Sequence, residues 1–343
     1  MNNLIAQTFI LFACGIAFSN EVPTVALFTT GGTIQSKGAH RLTLTEYNES
    51  RVSPNELIHD LPEINSLASI QVHEISNVGS GNINTKVLLD LSKSIQKRLA
   101  ESSVAGAVVT HGTGTLEETA YFLQLTVRSK KPVVVVGAMR PFTAISRDGP
   151  YNLFNAIKVA ASPESEGQGV LVVLNDIIHS ARFVTKGHTM HIETFVDREI
   201  GPLGFVDSDR IVFYRQPNIR HTYLSEFNIQ EIDDLPQVDI VYGYQEASPI
   251  PISALVESGA KGIVLADSSP AYANAILSAQ SNDVFIVQSD RKGAGRVPLS
   301  DRSLAKRIVT SDNLNPQKSR ILLRLALTQT TDIRSIQRMF NEY

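Results

Sequence analysis

Two threonine-glycine segments are where this chain could do nucleophilic chemistry: Thr30-Gly31-Gly32-Thr33 and Thr110-His111-Gly112-Thr113. A threonine hydroxyl is a poor nucleophile unless a base takes its proton or a cation lowers the cost of losing it. Paired glycines ahead of Thr33 remove Cβ clashes and let backbone N–H groups approach a ligand closely. On the residues alone, a Gly-rich turn with a capping threonine is the plainer reading of either segment. His188 and His191 lie three apart and would form a metal pair on a helix. No third ligand follows nearby, and Gly187 argues for a loop, so solvent-exposed histidines are the simpler account. Gly79-Ser80-Gly81 is no phosphate loop, because neither Gly-Lys-Thr nor Gly-Lys-Ser follows it. Glu117 and Glu118 open a helix, where carboxylates offset the macrodipole, and that structural role is sufficient.

The elements that must position these residues are legible as alternating patterns. Short β-branched and apolar runs at 24–29, 107–110, 132–137, 169–175, 239–244, 262–266 and 283–288 read as buried strands. Helical stretches at 86–99, 116–127 and 152–161 lie between them. The alternation predicts an α/β fold with a mostly parallel, doubly wound sheet. Residues 213–237 are polar and poorly periodic and contain Pro217 and Pro236. They read as a linker between a large N-terminal domain, 21–212, and a smaller C-terminal α/β domain, 238–343. Thr33, Ser80, Thr113 and Lys186 all follow strand-like segments, a placement that suits one site at the carboxyl ends of the strands.

Composition narrows the partners. A net charge of −3, from 31 basic and 34 acidic residues, gives no nucleic-acid footprint, so a small molecule is the better default. Residues 4–18 are almost wholly apolar and end near Ala17-Phe18-Ser19, which reads as a secretory signal peptide over 1–20. The run is too short for a comfortable membrane span, and no membrane association is expected after cleavage. Met1-Asn2-Asn3 supplies no basic residue, and a buried N-terminal helix is the alternative. Cys14, the one cysteine, falls inside this segment. Cleavage after it leaves a chain without thiolate chemistry or disulfides. Leu11-Phe12-Ala13-Cys14 also suggests lipoprotein processing, which the bulky Phe12 disfavours.

Beyond the two Thr-Gly motifs, the chain carries Ala120-Tyr121-Phe122-Leu123, Gly137-Ala138-Met139-Arg140-Pro141 and Asp148-Gly149-Pro150. Further along stand Asn175-Asp176, Gly201-Pro202-Leu203-Gly204, Leu314-Asn315-Pro316 and Leu325-Ala326-Leu327-Thr328. In this order, from about Pro23 to Tyr343, they resemble the bacterial type II L-asparaginase and glutaminase-asparaginase family. The resemblance implies that Thr33 is the nucleophile that forms an acyl-enzyme and that Tyr47, on a mobile lid, assists it. Thr113 and Lys186 match two members of a Thr–Lys–Asp relay. Physically, a lysine beside a threonine can hold a proton in transit or activate a water. Ser80 matches a residue that binds the substrate's α-carboxylate, and backbone N–H groups near Thr113 would stabilise the oxyanion. His111 and His179 are then packing or hydrogen-bonding groups. The resemblance also implies a homotetramer with sites shared between subunits, a periplasmic or secreted location, and no cofactor.

The departures fall on one substrate group. Gly114 stands where the family's relay aspartate, also a ligand of the α-ammonium, is expected, and Gly81 replaces the other principal ammonium ligand. Ala266-Asp267-Ser268-Ser269-Pro270 replaces a Gly/Asn-rich stretch, and Asp301 is a candidate for the acid that a neighbouring subunit would supply. A buried ammonium without its carboxylate costs several kcal/mol. The expected function is therefore asparaginase-like hydrolysis of the side-chain amide of asparagine, or of glutamine, to the acid and ammonia. An amidohydrolase for a substrate without a free α-ammonium and a catalytically silent binding protein are the alternatives.

Overall fold

The computed structural model describes residues 22–47 and 50–343. The expected signal peptide and Cys14 lie outside them. The first strand, β1 (Thr24–Gly31), is buried along almost its whole length. Val25 and Leu27 enter one core while Ala26 and Phe28 enter another, as the two-residue repeat of a strand demands. A strand covered on both faces is apolar throughout, which is why this run shows no alternation in sequence.

The large sheet is completed by β2 (Ser69–Val78), β3 (Val104–Thr110), β4 (Val133–Val136), β5 (Val170–Leu174) and β6 (Ile177–Ser180). A separate two-stranded ribbon, β7 (Thr185–Lys186) with β8 (Phe195–Val196), precedes β9 (Gly204–Val206) and β10 (Ile211–Phe213). The sheet order is β10-β9-β6-β5-β4-β3-β1-β2, with β1 to β5 paired in parallel and the β6 edge antiparallel. Strand β2 is not among the apolar runs read from sequence, although the sequence places Ser80 after a strand-like segment. Its side chains are only partly buried, so it lacks the apolar run that marks the others.

The chain passes from β1 to β2 at one edge and then returns to β3 on the other side of β1. Strand order reverses there, and ligands of open α/β sheets bind at such a switch point, outside the carboxyl ends. The loops after β1 and β3 carry the two Thr-Gly motifs.

Helices α1 (Pro54–His59), α2 (Thr85–Leu99), α3 (Leu116–Thr126) and α4 (Gly149–Ala161) connect these strands. The second sheet, β11 (Val238–Tyr242), β12 (Gly262–Ala266), β13 (Phe285–Ser289) and β14 (Ile308–Thr310), is parallel throughout. Its helices are α5 (Ile250–Glu257), α6 (Ala273–Ser281), α7 (Asp301–Ala305), α8 (Pro316–Ala326) and α9 (Ile333–Glu342).

One core joins the two sheets. Tyr121 and Phe122 of α3, Leu322 and Leu323 of α8, and Val264 and Val287 of the small sheet belong to a single buried cluster. Each such side chain contributes roughly 1.5–3 kcal/mol on burial. Helix α3 is therefore buried on all sides except at Glu118, so its sequence shows little amphipathic contrast. Residues 214–237 are held down rather than free, since Phe227, Ile229 and Leu235 enter the same core. Phe213, read as the first linker residue, is the last of β10.

Candidate active site

Three loops meet at the switch point because glycines let their backbones touch. Gly31 and Gly32 have φ of +100° and +84°, which L side chains rarely adopt. A Cβ on Gly31 would lie 2.5 Å from the Val78 carbonyl oxygen, and one on Gly32 2.4 Å from Gly112 Cα. Thr33 then starts a tight turn closed by Ser36, whose N–H donates to the Thr33 carbonyl (3.0 Å) and whose hydroxyl donates to the Gly32 carbonyl (2.9 Å). Thr30 ties β1 to β3 by donating to the Thr110 carbonyl at 2.8 Å. Thr115 donates to the Ser80 carbonyl at 2.9 Å, drawing the loop after β2 to the start of α3. Gly112 lies against Ser80, since a Cβ there would be 2.9 Å from the Ser80 Cβ. Thr33, Ser80 and Thr113 are thus set on neighbouring backbones.

Lys186 completes a pair. Its Nζ lies 2.8 Å from Thr113 Oγ1, and Thr113 is buried. Burial pushes the Lys186 pKa below the ordinary lysine value. Among the described residues no carboxylate pairs with this ammonium to oppose that shift. Lys186 was expected in irregular sequence after a strand. It instead lies within β7, where ribbon pairing with Phe195 fixes its backbone.

The backbone of Lys186 is anchored from two further directions. Its N–H donates to Glu117 Oε2 at 3.0 Å, and Asn315 Nδ2 donates to Glu117 Oε1 at 3.3 Å. Glu117 is buried and bridges the two sheets' domains, so the macrodipole role assigned from sequence was incomplete. Lys318 was missed altogether. It is 2% exposed, and its Nζ donates to the carbonyls of Arg182 (3.0 Å) and Val184 (2.5 Å), just ahead of Lys186. Desolvation pushes its pKa down to about 8.

The other wall of the site is open. Gly114 is exposed, and a Cβ there would meet only the Ser80 hydroxyl, at 2.9 Å. A Cβ on Gly81 would meet nothing within 4 Å. Gly114, Lys186 and Glu117 line a cleft of about 490 Å³ together with Arg198, Asp290, Arg291 and Asn315. Thr33, Tyr47, Ser80, Gly81 and Thr113 are outside this lining. Tyr47 is 39% exposed in the loop that follows the Thr33 turn. Asp301 opens α7 as an exposed residue and does not line the cleft. Asp267 is engaged by Arg291 and Lys292 at 3.0 Å each.

The histidines have structural explanations. His111 is fully buried, with Nδ1 2.8 Å from the Gly112 carbonyl and Nε2 2.9 Å from Thr119 Oγ1. The carbonyl requires Nδ1 to donate, so Nε2 accepts from the hydroxyl. Desolvation, the larger cause, lowers the His111 pKa to about 4 and keeps the ring neutral. His179 is paired with the buried Asp197 at 2.8 Å. His188 and His191 are exposed and stacked, with ring centroids 3.6 Å apart. Among the described residues no group of three His, Cys, Asp or Glu could hold a metal ion.

The family model for the N-terminal domain of asparaginase matches residues 24–219, and that for the glutaminase/asparaginase C-terminal domain matches 237–340. The chain belongs to the asparaginase family. It is 47% identical to a Bacillus subtilis (strain 168) protein named L-asparaginase 2, over 98% of this chain and 91% of that one. A Haemophilus influenzae protein named as a probable periplasmic L-asparaginase is 40% identical over 97% of each chain. A crystal structure of a probable cytoplasmic L-asparaginase from Campylobacter jejuni superposes with a TM-score of 0.91 at 39% identity. That match covers 94% of this chain and all of the other. This asparaginase-family chain therefore has the family's α/β architecture, with a large N-terminal and a smaller C-terminal domain.

Proposed function

We propose that this asparaginase-family chain is an amidohydrolase that releases ammonia from a side-chain carboxamide, with asparagine as the first substrate to test and glutamine as the second. The observation that carries the reading is the 2.8 Å contact between Lys186 Nζ and Thr113 Oγ1 beside the cleft. A lysine with a depressed pKa is a competent proton acceptor, and the hydroxyl beside it is the natural relay. In this reading Thr33 Oγ1 attacks the amide carbon, and its proton passes to the departing nitrogen as the C–N bond breaks. Thr113 and Lys186 then take a proton from the water that cleaves the threonyl ester, and a proton returns to Thr33 Oγ1 as the ester C–O bond breaks. Tyr47 closes over Thr33, Ser80 holds the carboxylate end of the substrate, and Gly81 and Gly114 form its wall.

Ammonia release from asparagine and glutamine, compared with Thr33→Ala and Lys186→Met, tests this assignment. Turnover by the unaltered chain that both variants abolish is expected. Turnover that survives Thr33→Ala would remove it as nucleophile, and silence of the unaltered chain would favour a binding protein. The domains are assigned as 21–212 and 238–343 about the 213–237 connection, and export through cleavage near residue 20 accompanies the reading. N-terminal sequencing of the protein from its own cells checks the cleavage. A homotetramer is also proposed. Ile250 and Leu277, on the neighbouring helices α5 and α6, are 71% and 63% exposed, apolar surface that a partner subunit would cover. Sedimentation velocity decides the assembly.

A further inference from the structure

The charges that face the cleft are not balanced. Its two lining carboxylates are already engaged by the chain itself. Glu117 accepts the Lys186 N–H and the Asn315 amide, and Asp290 is held by Lys292 at 3.0 Å. The lining cations are Lys186, Arg198 and Arg291. Arg291 is paired with Asp267 at 3.0 Å. The Lys186 Nζ bonds only the Thr113 hydroxyl, and the Arg198 guanidinium donates only to the Lys292 carbonyl, at 2.9 Å. Among the described residues neither has a carboxylate partner.

Arg198 is seated rather than loose. Its guanidinium lies over Gly293, where a Cβ would come within 2.7 Å of the NH1 nitrogen, and Gly293 has φ of +73°. The missing side chain makes room for the guanidinium at the cleft wall and leaves its remaining N–H groups available. A planar guanidinium with spare donors suits a carboxylate in two-point contact. Gly114 lines the same cleft and presents no acceptor side chain, and Gly81 outside it presents none either. In the lining that this chain supplies, an ammonium meets the Arg198 guanidinium and no acid that is not already engaged. A carboxylate meets Arg198.

Resting on the amidohydrolase reading above, we infer that the preferred substrate is a carboxamide whose other end is anionic and carries no free amine, with Arg198 joining Ser80 in holding that end. Monoamides of dicarboxylic acids have this chemistry. The glycines at 81 and 114 leave space for the chain between the two ends. Lys186 is left for the chemistry because it need not hold an ammonium ligand's carboxylate partner in place.

The test is calorimetric binding of succinamate and of asparagine to the intact protein, with ammonia release measured on the same samples. The expected result is that succinamate binds at least tenfold more tightly than asparagine. The preference should weaken as salt is raised, and Arg198→Gln should remove it while the circular dichroism spectrum is unchanged. Asparagine binding as tightly as succinamate, or a preference that survives Arg198→Gln, would overturn the inference. Ammonia release answers a separate question. Succinamate preference without any ammonia would leave the anion site standing and defeat the amidohydrolase reading. Ammonia from asparagine far faster than from succinamate, with tighter asparagine binding, would do the reverse.

Discussion

The two walls of the cleft are built on different principles. On one wall Thr113, Lys186, Glu117 and Asn315 form a chain of contacts at 2.8–3.3 Å, buttressed from behind by Lys318. On the other, Gly81 and Gly114 offer no side chain, and Arg198 lines the cleft without a carboxylate partner among the described residues. In the proposed reading the first handles protons, and its contacts are over-determined. The second, which bears no side chain, would face the substrate. On that reading proton handling and substrate choice rest on separate residues, and one can change without dismantling the other. A decaying site would lose contacts on both sides.

The comparison can be broken most severely at the chemical wall. Thr33→Ala and Lys186→Met should each lower kcat by on the order of 10²–10⁴-fold, read by ammonia release, because a nucleophile or a proton acceptor is lost. Retained turnover in Lys186→Met would show that the 2.8 Å contact is merely structural. The unaltered chain should also gain activity as pH rises through a value below the ordinary lysine pKa of 10.5, since burial favours the neutral amine that accepts the proton. A flat profile from pH 6 to 10 would assign the base elsewhere.

Next comes the support behind that wall. Glu117→Ala strips an acceptor from a buried N–H and from Asn315. Each orphaned donor costs about 1–3 kcal/mol, and kcat should fall more than KM rises because Lys186 loses its anchor. Chemical denaturation and steady-state kinetics on one preparation separate the two effects. Lys318→Met should destabilise by a similar amount, since two buried carbonyls lose their donor.

The Lys318 pKa supplies a pH test of sign. Its folded value, about 8, lies below the ordinary 10.5, so between them the unfolded chain binds more protons than the native one. Stability contributed at this position should therefore rise as pH increases from about 8 toward 10.5, and Lys318→Met should lose that rise. Identical slopes for the two proteins would place the titration on another group.

The smallest expected effect concerns the open wall. Gly114→Asp restores a carboxylate where only the Ser80 hydroxyl, at 2.9 Å, must move aside. It should raise kcat/KM for asparagine about tenfold, the gain of one charge-assisted contact worth about 1.4 kcal/mol. No gain in a folded variant would shift attention to the C-terminal loops, where Asp267 is already engaged by Arg291 and Lys292.

Much of the fold could be read from residues in series. Runs such as 24–29 and 107–110 are apolar throughout because both faces of a central strand are covered, and they needed no tertiary information. Strand β2 escaped because it lies at a sheet edge and its side chains are half exposed. Gly31 and Gly32 announced a close approach, and the backbones of Gly112 and Val78 are what they approach.

The sequence by itself determined that two Thr-Gly loops follow strands and that glycines occupy positions 81 and 114. These are properties of short segments, set by steric freedom and by hydrophobic period. Only the tertiary structure decided that Lys186 reaches Thr113, that Glu117 spans two domains, and that Arg198 faces the cleft without a carboxylate partner. Those facts join residues 69 to 198 positions apart in the chain, as Glu117's bonds to Lys186 and Asn315 do. Electrostatic and hydrogen-bond energies depend on distance in space, which no local pattern encodes.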